Sequence, residues 1–293
     1  MVGLLADRVR PAKAARTSVC CEPYKTVELW FDPQPNDQLL LIWLLDYFGS
    51  HPEIAHKLRL AFVDFYLVEA TEQRLDRWKV PTVRIRDEDL ELGPTAWQAY
   101  RASTPEACFD LLLADLSALP VFRPCLLDLL DELPSATTGL GATEMRMLEL
   151  IASGYQNTNA LFHLRRLHRR RVFDEFELGA LLEGLALGPK PAVAELDEKL
   201  RTLNYENDRG RHEIHLRCRL SLTEFGRAVV AHEEDFSRRN PIHRWWGGTE
   251  LTSDRLWRYA PRSDEAVRRW RDSGIGAMRR PGMTLSLYSA ASA

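Results

Sequence analysis

The feature that most constrains the fold is a strand, helix and strand pattern in residues 27 to 68. Val27 to Phe31 form a short apolar run that is typical of a buried strand, and the turn residues Pro33 to Asn36 follow it. The chain is then apolar around most of a helical circumference as far as Phe48, and Leu58 to Val68 are rich in strand-forming residues. Because strands joined through a helix usually pair in parallel, we predict an α/β unit with a parallel strand pair.

Polar residues follow the first of these strands, at the end where α/β sheets bind their ligands. Asp32, Asp37 and Gln38 are therefore candidate ligand-binding residues. In a purely structural alternative, Asp32 begins the turn and Asp37 caps the helix. No glycine-rich loop follows Phe31, which argues against the phosphate cradle of a complete Rossmann domain or a P-loop. We therefore describe the unit as a Rossmann-like fragment.

Residues 71 to 133 have helical periodicity, with prolines at the joints between segments. This pattern predicts a helical cap on the α/β unit. We expect the capped unit to cover residues 26–135, after a flexible N-terminus over residues 1–25. The acidic run from Arg86 to Glu91 is predicted as a charged loop rather than as a general acid and base.

The second half of the chain predicts a winged-helix-like domain over residues 136–235. Helical segments begin near Thr143, and one of them covers residues 192 to 203. Residues 212 to 222 alternate between apolar and polar side chains without a break, which predicts a half-buried antiparallel strand. Residues 201 to 206 are its predicted hairpin partner, and a final helix begins in the LTEFG segment. Helices, hairpin and closing helix together resemble a winged helix.

Winged helices often bind DNA, but the predicted third helix carries Glu195, Asp197 and Glu198 against Lys199 alone. These anionic side chains argue against DNA recognition by that helix. A basic run supplies the remaining candidate nucleic-acid contacts, although a solvated basic helix end, which the helix dipole also favours, is the preferred explanation. The candidates are Arg165, Arg166, Arg169, Arg170 and Arg171.

The net charge of −3 conceals a strong asymmetry along the chain. Residues 26 to 135 carry a net charge of −10, whereas residues 236 to 293 carry +6. Either the acidic front and the basic tail pack against each other, or the basic tail binds an external polyanion. The sequence contains no apolar stretch long enough for a membrane span or a signal-peptide core, so we expect a cytoplasmic protein without membrane contact.

Familiar catalytic and metal-binding motifs are missing from the sequence. The eight histidines form no HExxH motif, no GxSxG motif occurs, and the five cysteines contain no CxxC pair. We therefore expect reduced thiols, no metal site and no cofactor. Whether the chain is an enzyme stays open at this point.

Residues 243 to 259 read HRWWGGTELTSDRLWRY and contain three of the eight tryptophans together with a Gly-Gly pair. One interpretation is a ligand-stacking surface, in which exposed aromatic rings stack and arginine adds cation-π contacts. Its candidate residues are Trp246, Gly247, Gly248, Arg255 and Trp257. The interpretation that we favour is a hairpin clasp over residues 236–260, with the glycines allowing a close backbone approach. Residues 261–293 are predicted as a basic, partly disordered tail.

Six sequence blocks follow one another over residues 26 to 259. They are LWFDPQPNDQLLLIWLLDYF, AWQAYRA, LPVFRPCLLDLLDELPS, GLGATEMRMLELIASG, LSLTEFGRAVV and RWWGGTEL with LWRY. In this order the blocks resemble the bacterial domain-of-unknown-function family DUF1835, which implies no assigned activity. Members of that family usually begin with a further strand and a Gly-Asp-Ser-like turn, and Met1 to Lys25 do not match it. If that segment helps to build a site beside Asp37 and Gln38, the resemblance implies a shortened chain in which the site is incomplete.

Two classes of function fit these observations. The first, which we prefer, is a non-enzymatic cytosolic binding or regulatory protein whose winged-helix-like module contacts a protein partner or makes weak nucleic-acid contacts. The second is an enzyme of small molecules or nucleotides with a site at the strand end near Asp37. Salt-sensitive binding of nucleic acid would favour the first class, and ligand-dependent thermal shifts would favour the second.

Overall fold

The structure is a computed structural model that describes residues 21–62, 67, 71, 81–163, 172–202, 208–260 and 284–289. These residues form ten helices and three small sheets. The mixed α/β character that the sequence predicts is therefore confirmed. The chain divides into two units. The first extends to Asp128 and includes Trp245–Thr249, and the second contains Leu129–Arg244 and resumes at Glu250. Among the helices described, none has the length and apolar character that crossing a bilayer requires.

The first unit contains a three-stranded sheet. Its first elements are β1 (Val27–Phe31), α1 (Pro35–Gly49), α2 (Pro52–Ala55), β2 (Leu58–Phe62) and β3 (Thr82–Arg84). Strands β1 and β2 are parallel, with Val27 opposite Leu58, and β3 is antiparallel to β2. The predicted parallel pair is therefore present. The predicted second strand continued to Val68, but residues 63–66 and 68 lie outside the described part of the chain.

Helix α1 packs closely against helix α3 (Asp87–Tyr100). A β-carbon built on Gly93 of α3 would lie 2.3 Å from Cβ of Leu45 on α1. Because real Cβ atoms do not approach so closely, glycine at this position lets the two helices touch. Leu45 and Ile42 are completely buried, which places α1 in the core of the first unit.

The start of α3 corrects one expectation from the sequence. The run from Arg86 to Glu91, predicted as a charged loop, is instead the N-terminal turn of the helix. Asp89 accepts a hydrogen bond from the N–H of Arg86 at 2.7 Å, so the carboxylate satisfies a backbone group at the helix start. Acidic side chains are stabilised at this end of a helix by the helix dipole, which explains why this run is helical.

Two shorter helices follow in the cap, α4 (Glu106–Leu111) and α5 (Phe122–Leu130). Cys108 of α4 and Leu126 of α5 are fully buried, as expected for apolar faces of a helical cap. The first predicted helix of this cap falls on residues 72–80, which are outside the described residues.

The second unit has its own apolar core, built mainly from helices. Its elements are α6 (Ala142–Ala152), α7 (Thr158–His163), α8 (Glu175–Leu187), β4 (Val193–Ala194), α9 (Arg209–Arg217), β5 (Ser221–Leu222) and α10 (Glu224–Val230). Met147, Leu182 and Val229 bring α6, α8 and α10 into one buried cluster. The small sheet is antiparallel, with Val193 opposite Leu222.

The strand predicted over residues 212 to 222 is mostly wrong. Helix α9 occupies it as far as Arg217, and Ser221–Leu222 alone form a strand there. In a helix, residues three or four apart share a face, so the alternating pattern does not decide which side chains are buried. His215 is buried although it was expected to face outward, and Ile214 is half exposed although it was expected to face inward.

The helix predicted over residues 192 to 203 is also wrong. This stretch begins with β4 and ends, within the described residues, in a single 3-10 turn at Leu200–Thr202. Glu195 interrupts it with a left-handed backbone, φ +67°, which a regular helix does not contain. The predicted hairpin partner at residues 201 to 206 lies largely outside the described residues, since 203–207 are not among them.

A four-stranded sheet with the order β6-β7-β8-β9 follows along the chain. Its strands are β6 (His243–Trp246), β7 (Thr249–Thr252), β8 (Arg255–Ala260) and β9 (Thr284–Ser289). Thr252 pairs with Arg255 across the β7–β8 turn, so the expected hairpin is present, and β6 extends it. Strand β9 pairs with β8 and lies within residues 261–293, which were expected to form a partly disordered tail. Residues 261–283 and 290–293 of this tail are outside the described residues.

Candidate functional site

The polar residues at the carboxyl end of β1 are engaged in hydrogen bonds of the fold. Asp32 Oδ1 accepts from the N–H of Leu67 at 2.8 Å, and the Gln38 amide donates to the backbone oxygen of Asp32 at 3.1 Å. The Gln34 amide lies 3.5 Å from Asp32 Oδ2. All three polar side chains are buried. The bond to Leu67 connects the turn after β1 to the segment that follows β2, and the two glutamine bonds stabilise the turn itself.

Asp37 is the member of this group with unusual electrostatics. Helix α1 begins at Pro35 with Gln34 as its N-cap, so Asp37 lies in the first turn and is not the cap. Burial raises the pKa of Asp37, and the neighbouring carboxylate of Asp32 raises it further. A carboxyl group whose pKa is raised in this way is a candidate for proton transfer.

The cavity beside these residues is very small. Its volume is about 10 Å³, which is room for about one water molecule. It is lined by Phe31, Gln38, Leu41, Leu60, Ala61, Leu119, Pro120 and Val121. No residue of the tryptophan-rich block is in this lining.

The tryptophan-rich block contains both buried and exposed side chains. Trp246 is 7% exposed, and its ring lies edge-on to the ring of Tyr100 at a centroid distance of 5.5 Å. Trp257 is equally buried, whereas Arg255 and Trp245 are exposed. Because a stacking surface requires exposed rings, the burial of Trp246 and Trp257 favours the clasp over the ligand platform.

Gly247 and Gly248 lie against the end of α3. The N–H of Gly248 donates to the backbone oxygen of Tyr100 at 3.0 Å. A β-carbon would lie 1.9 Å from the oxygen of Arg101 if built on Gly248, and 2.2 Å from the oxygen of Tyr100 if built on Gly247. Gly247 also has a φ of +54°, in the region that favours glycine. The two glycines therefore allow their backbone to lie close to the backbone at the end of α3, as the clasp interpretation expects.

Among the residues that the structure describes, the remaining candidates form no assembled site. Arg165, Arg166, Arg169, Arg170 and Arg171 all lie outside the described residues. Within the described part, no group of three or more His, Cys, Asp or Glu side chains could hold a metal ion. Burial raises the pKa of the Cys108 thiol to about 12, so this cysteine is not a nucleophile near neutral pH.

Two buried polar clusters of the second unit were not foreseen from the sequence. In one, Arg258 pairs with Asp235 at 2.8 Å. In the other, Glu132 accepts hydrogen bonds from the N–H of Thr143 at 3.1 Å and from its Oγ1 at 2.6 Å. Burial, opposed by the Thr143 hydrogen bonds, raises the pKa of Glu132 to about 7. The signal that could have found the second cluster lies in two neighbouring sequence blocks, because LPVFRPCLLDLLDELPS contains Glu132 and GLGATEMRMLELIASG contains Thr143.

A larger polar depression of about 250 Å³ lies in the second unit. It is lined by Ala136, Thr137, His232, Glu233, Glu234, Asp235, Arg238 and Arg239. Its charged groups mostly pair with one another, as Arg239 does with Glu234 at 3.9 Å and Arg238 with Asp235 at 3.5 Å. The depression therefore offers no concentrated charge of one sign to a ligand.

Comparisons of the chain with protein-family models, with curated proteins and with solved structures find no match.

Proposed function

We propose that the protein is a non-enzymatic binding or regulatory protein of the bacterial cytoplasm. One observation carries the proposal. The polar side chains at the carboxyl end of β1 are buried, they form hydrogen bonds within the fold, and the cavity beside them has a volume of about 10 Å³. Pockets for small molecules usually have volumes of about 300 to 1,000 Å³. Within the described residues, Asp32, Gln34 and Gln38 themselves therefore occupy the end of β1, where an α/β sheet normally binds a substrate.

We also propose the finer architecture that the sequence predicts. The parallel pair β1 and β2, joined through α1, supports a Rossmann-like fragment in the first unit. Helices α6, α7 and α8, followed by the β4–β5 pair with α9 between its two strands and then by α10, support a winged-helix-like module in the second. The ordered sequence blocks support membership of DUF1835. A winged-helix-like module acts by presenting a surface to another macromolecule.

A thermal unfolding experiment tests the absence of a small-molecule site. The chain is heated with ATP, GTP, NAD or a sugar phosphate, each at about 1 mM. A ligand present at about a hundred times its Kd stabilises a protein by about 2.7 kcal/mol, or roughly 5 to 10 °C in a chain of this size. We expect no such shift with any of the four. A shift that the Asp37→Asn variant abolishes contradicts the proposal.

That contradicting result would support a second candidate, an enzyme with Asp37 as its proton-transfer group. The specific observation in its favour is the raised pKa of Asp37, caused by burial and by Asp32. A general acid or base works best when its pKa lies near the working pH. The same Asp37→Asn comparison therefore separates the two functions.

A further inference from the structure

Helix α9 presents a ridge of charged side chains to solvent. Arg209, Glu213 and Arg217 follow one another at intervals of four residues, so they lie along one side of the helix. All three are exposed, and so is Arg219, two residues after the helix ends. We call Arg209, Arg217 and Arg219 the arginine face. The arginine face therefore carries three positive charges, and Glu213 carries the negative charge on the same stretch of chain.

The opposite side of α9 forms hydrogen bonds with Glu198 of the second unit. Arg211 forms two hydrogen bonds with Glu198, from Nε to Oε2 at 3.0 Å and from Nη2 to Oε1 at 2.7 Å. The buried ring of His215 places Nδ1 3.1 Å from the backbone oxygen of Glu198. The charge of Arg211 is thereby neutralised, and the helix is held so that its other side projects outward.

Within the described residues, the side chains of the arginine face form no buried contact of the kind that Arg211 makes. Arg209 and Arg219 have no ion-pair partner in this part of the chain. Arg217 lies 3.6 Å from Glu213, but their side chains are 79% and 64% exposed. An ion pair so exposed contributes little to stability, because water screens it. These cations remain available to a partner that carries negative charge.

We propose that the arginine face of α9 binds the phosphate backbone of duplex DNA. This inference rests on the proposed function, for which it names the partner. Arg209 and Arg217 are eight residues apart, or about 12 Å along the helix axis. The major groove of B-DNA is also about 12 Å wide, so a helix lying across it brings one arginine to each phosphate strand. Guanidinium groups bind phosphate oxygens through paired hydrogen bonds.

Duplex DNA fits this helix better than duplex RNA. The major groove of A-form RNA is too deep and narrow for side chains to enter. Ile214 also lies on the exposed side of α9, where its side chain is half exposed. An exposed apolar side chain beside the ridge of Arg209, Glu213 and Arg217 can contact the methyl groups of thymine that line the DNA major groove.

The test measures fluorescence anisotropy of a labelled duplex of about 20 base pairs, at about 50 and 200 mM KCl. The Arg209→Gln, Arg217→Gln and Arg219→Gln triple variant is expected to bind about tenfold or more weakly at the lower salt. Each lost phosphate contact flattens the plot of log affinity against log salt by about 0.9, so the slope falls by about 2 to 3. Glu213→Gln is expected to strengthen binding about two- to fivefold, because it removes an anion from the face.

A matched control removes three arginines elsewhere in the second unit, with Arg146→Gln, Arg227→Gln and Arg239→Gln. We expect this control to bind as the unchanged chain does, and thermal unfolding checks that every variant is folded. The proposal is overturned by an absence of DNA binding at about 50 mM KCl, by an equal loss in the control, or by tighter binding to duplex RNA or polyglutamate. None of these results changes the unfolding temperature in the presence of nucleotides in a way that depends on Asp37. Failure of the DNA-binding proposal is therefore distinguishable from failure of the proposed function.

Discussion

Arg258 and Asp235 form an ion pair in the interior of the second unit, with 2.8 Å between Nη2 and Oδ2 and both side chains at most one-tenth exposed. Arg258 also donates to the backbone oxygen of Ser135 at 2.9 Å and to Oγ of Ser237 at 2.6 Å. Asp235 in turn accepts from the N–H and the hydroxyl of Ser237. One arginine on β8 thus holds two separate loops in place.

Replacing Arg258 by methionine is expected to destabilise the second unit by about 3 to 5 kcal/mol, because it removes the buried cation beside the carboxylate of Asp235. Arg238 lies 3.5 Å from the same carboxylate, but its side chain is exposed and its charge is screened by water. Arg255→Met, on the same strand but exposed, is expected to change stability by less than about 0.5 kcal/mol. Urea unfolding followed by circular dichroism measures both variants. Equal effects of the two substitutions would show that the buried pair has no special role.

The Gly-Gly pair provides a second prediction. Gly248→Ala is expected to destabilise the protein by about 1 to 3 kcal/mol or more, since its new methyl group would meet the oxygen of Arg101 at 1.9 Å. Gly184→Ala on α8 is the control, because a β-carbon there meets open space. It is expected to stabilise the helix by about 0.5 to 1 kcal/mol. A neutral Gly248→Ala variant in urea unfolding would argue against the close backbone approach.

The parts of the fold that were predictable are those decided by neighbouring residues. The parallel β1–β2 pair follows from a strand, a helix and a strand close together in the chain. The β7–β8 hairpin turns within four residues, from Thr252 to Arg255. Cap residues are equally local: Asp174 accepts from the N–H of Glu177 at 2.8 Å, and Thr223 from the N–H of Gly226 at 2.9 Å, at the starts of α8 and α10.

The parts that were not predictable depend on partners far away in the chain. Asp32 was a reasonable ligand-binding candidate, but one of its carboxylate oxygens accepts a hydrogen bond from the N–H of Leu67, thirty-five residues later. The α9 segment has the alternation of a strand, yet the bonds from Arg211 and His215 to Glu198 favour a helix. Such contacts outweigh local preference, and a single sequence does not reveal them.

Helix α9 leads to a third prediction, on two residues that the alternating pattern placed on the same buried face. Ile214→Ser is expected to change the free energy of unfolding by less than about 0.5 kcal/mol, because Ile214 is half exposed. Leu220→Ala is expected to cost about 2 to 5 kcal/mol, because Leu220 is fully buried in the core of the second unit. Chemical denaturation measures both. Comparable losses would indicate that residues 212 to 222 form the strand after all.

Glu132 leads to a prediction about pH. Its pKa is raised by burial from 4.5 to about 7 in the folded chain, so between these values the folded state keeps a proton that the unfolded state has released. The stability that Glu132 contributes is therefore fully present below about pH 4.5 and is lost as pH rises through about 7. A shift of this size corresponds to about 3 kcal/mol.

Glu132→Gln removes this titration while keeping a neutral side chain of similar shape. We expect the variant to match the unchanged chain near pH 4.5 and to be more stable by up to about 3 kcal/mol near pH 7.5. Thr143→Val removes a hydroxyl that donates to Glu132 Oε1 and lowers its pKa, so the pH at which the loss of stability is complete is expected to move upward. Urea unfolding at a series of pH values measures all three chains. Parallel pH profiles for the unchanged chain and Glu132→Gln would contradict a protonated carboxyl at this position.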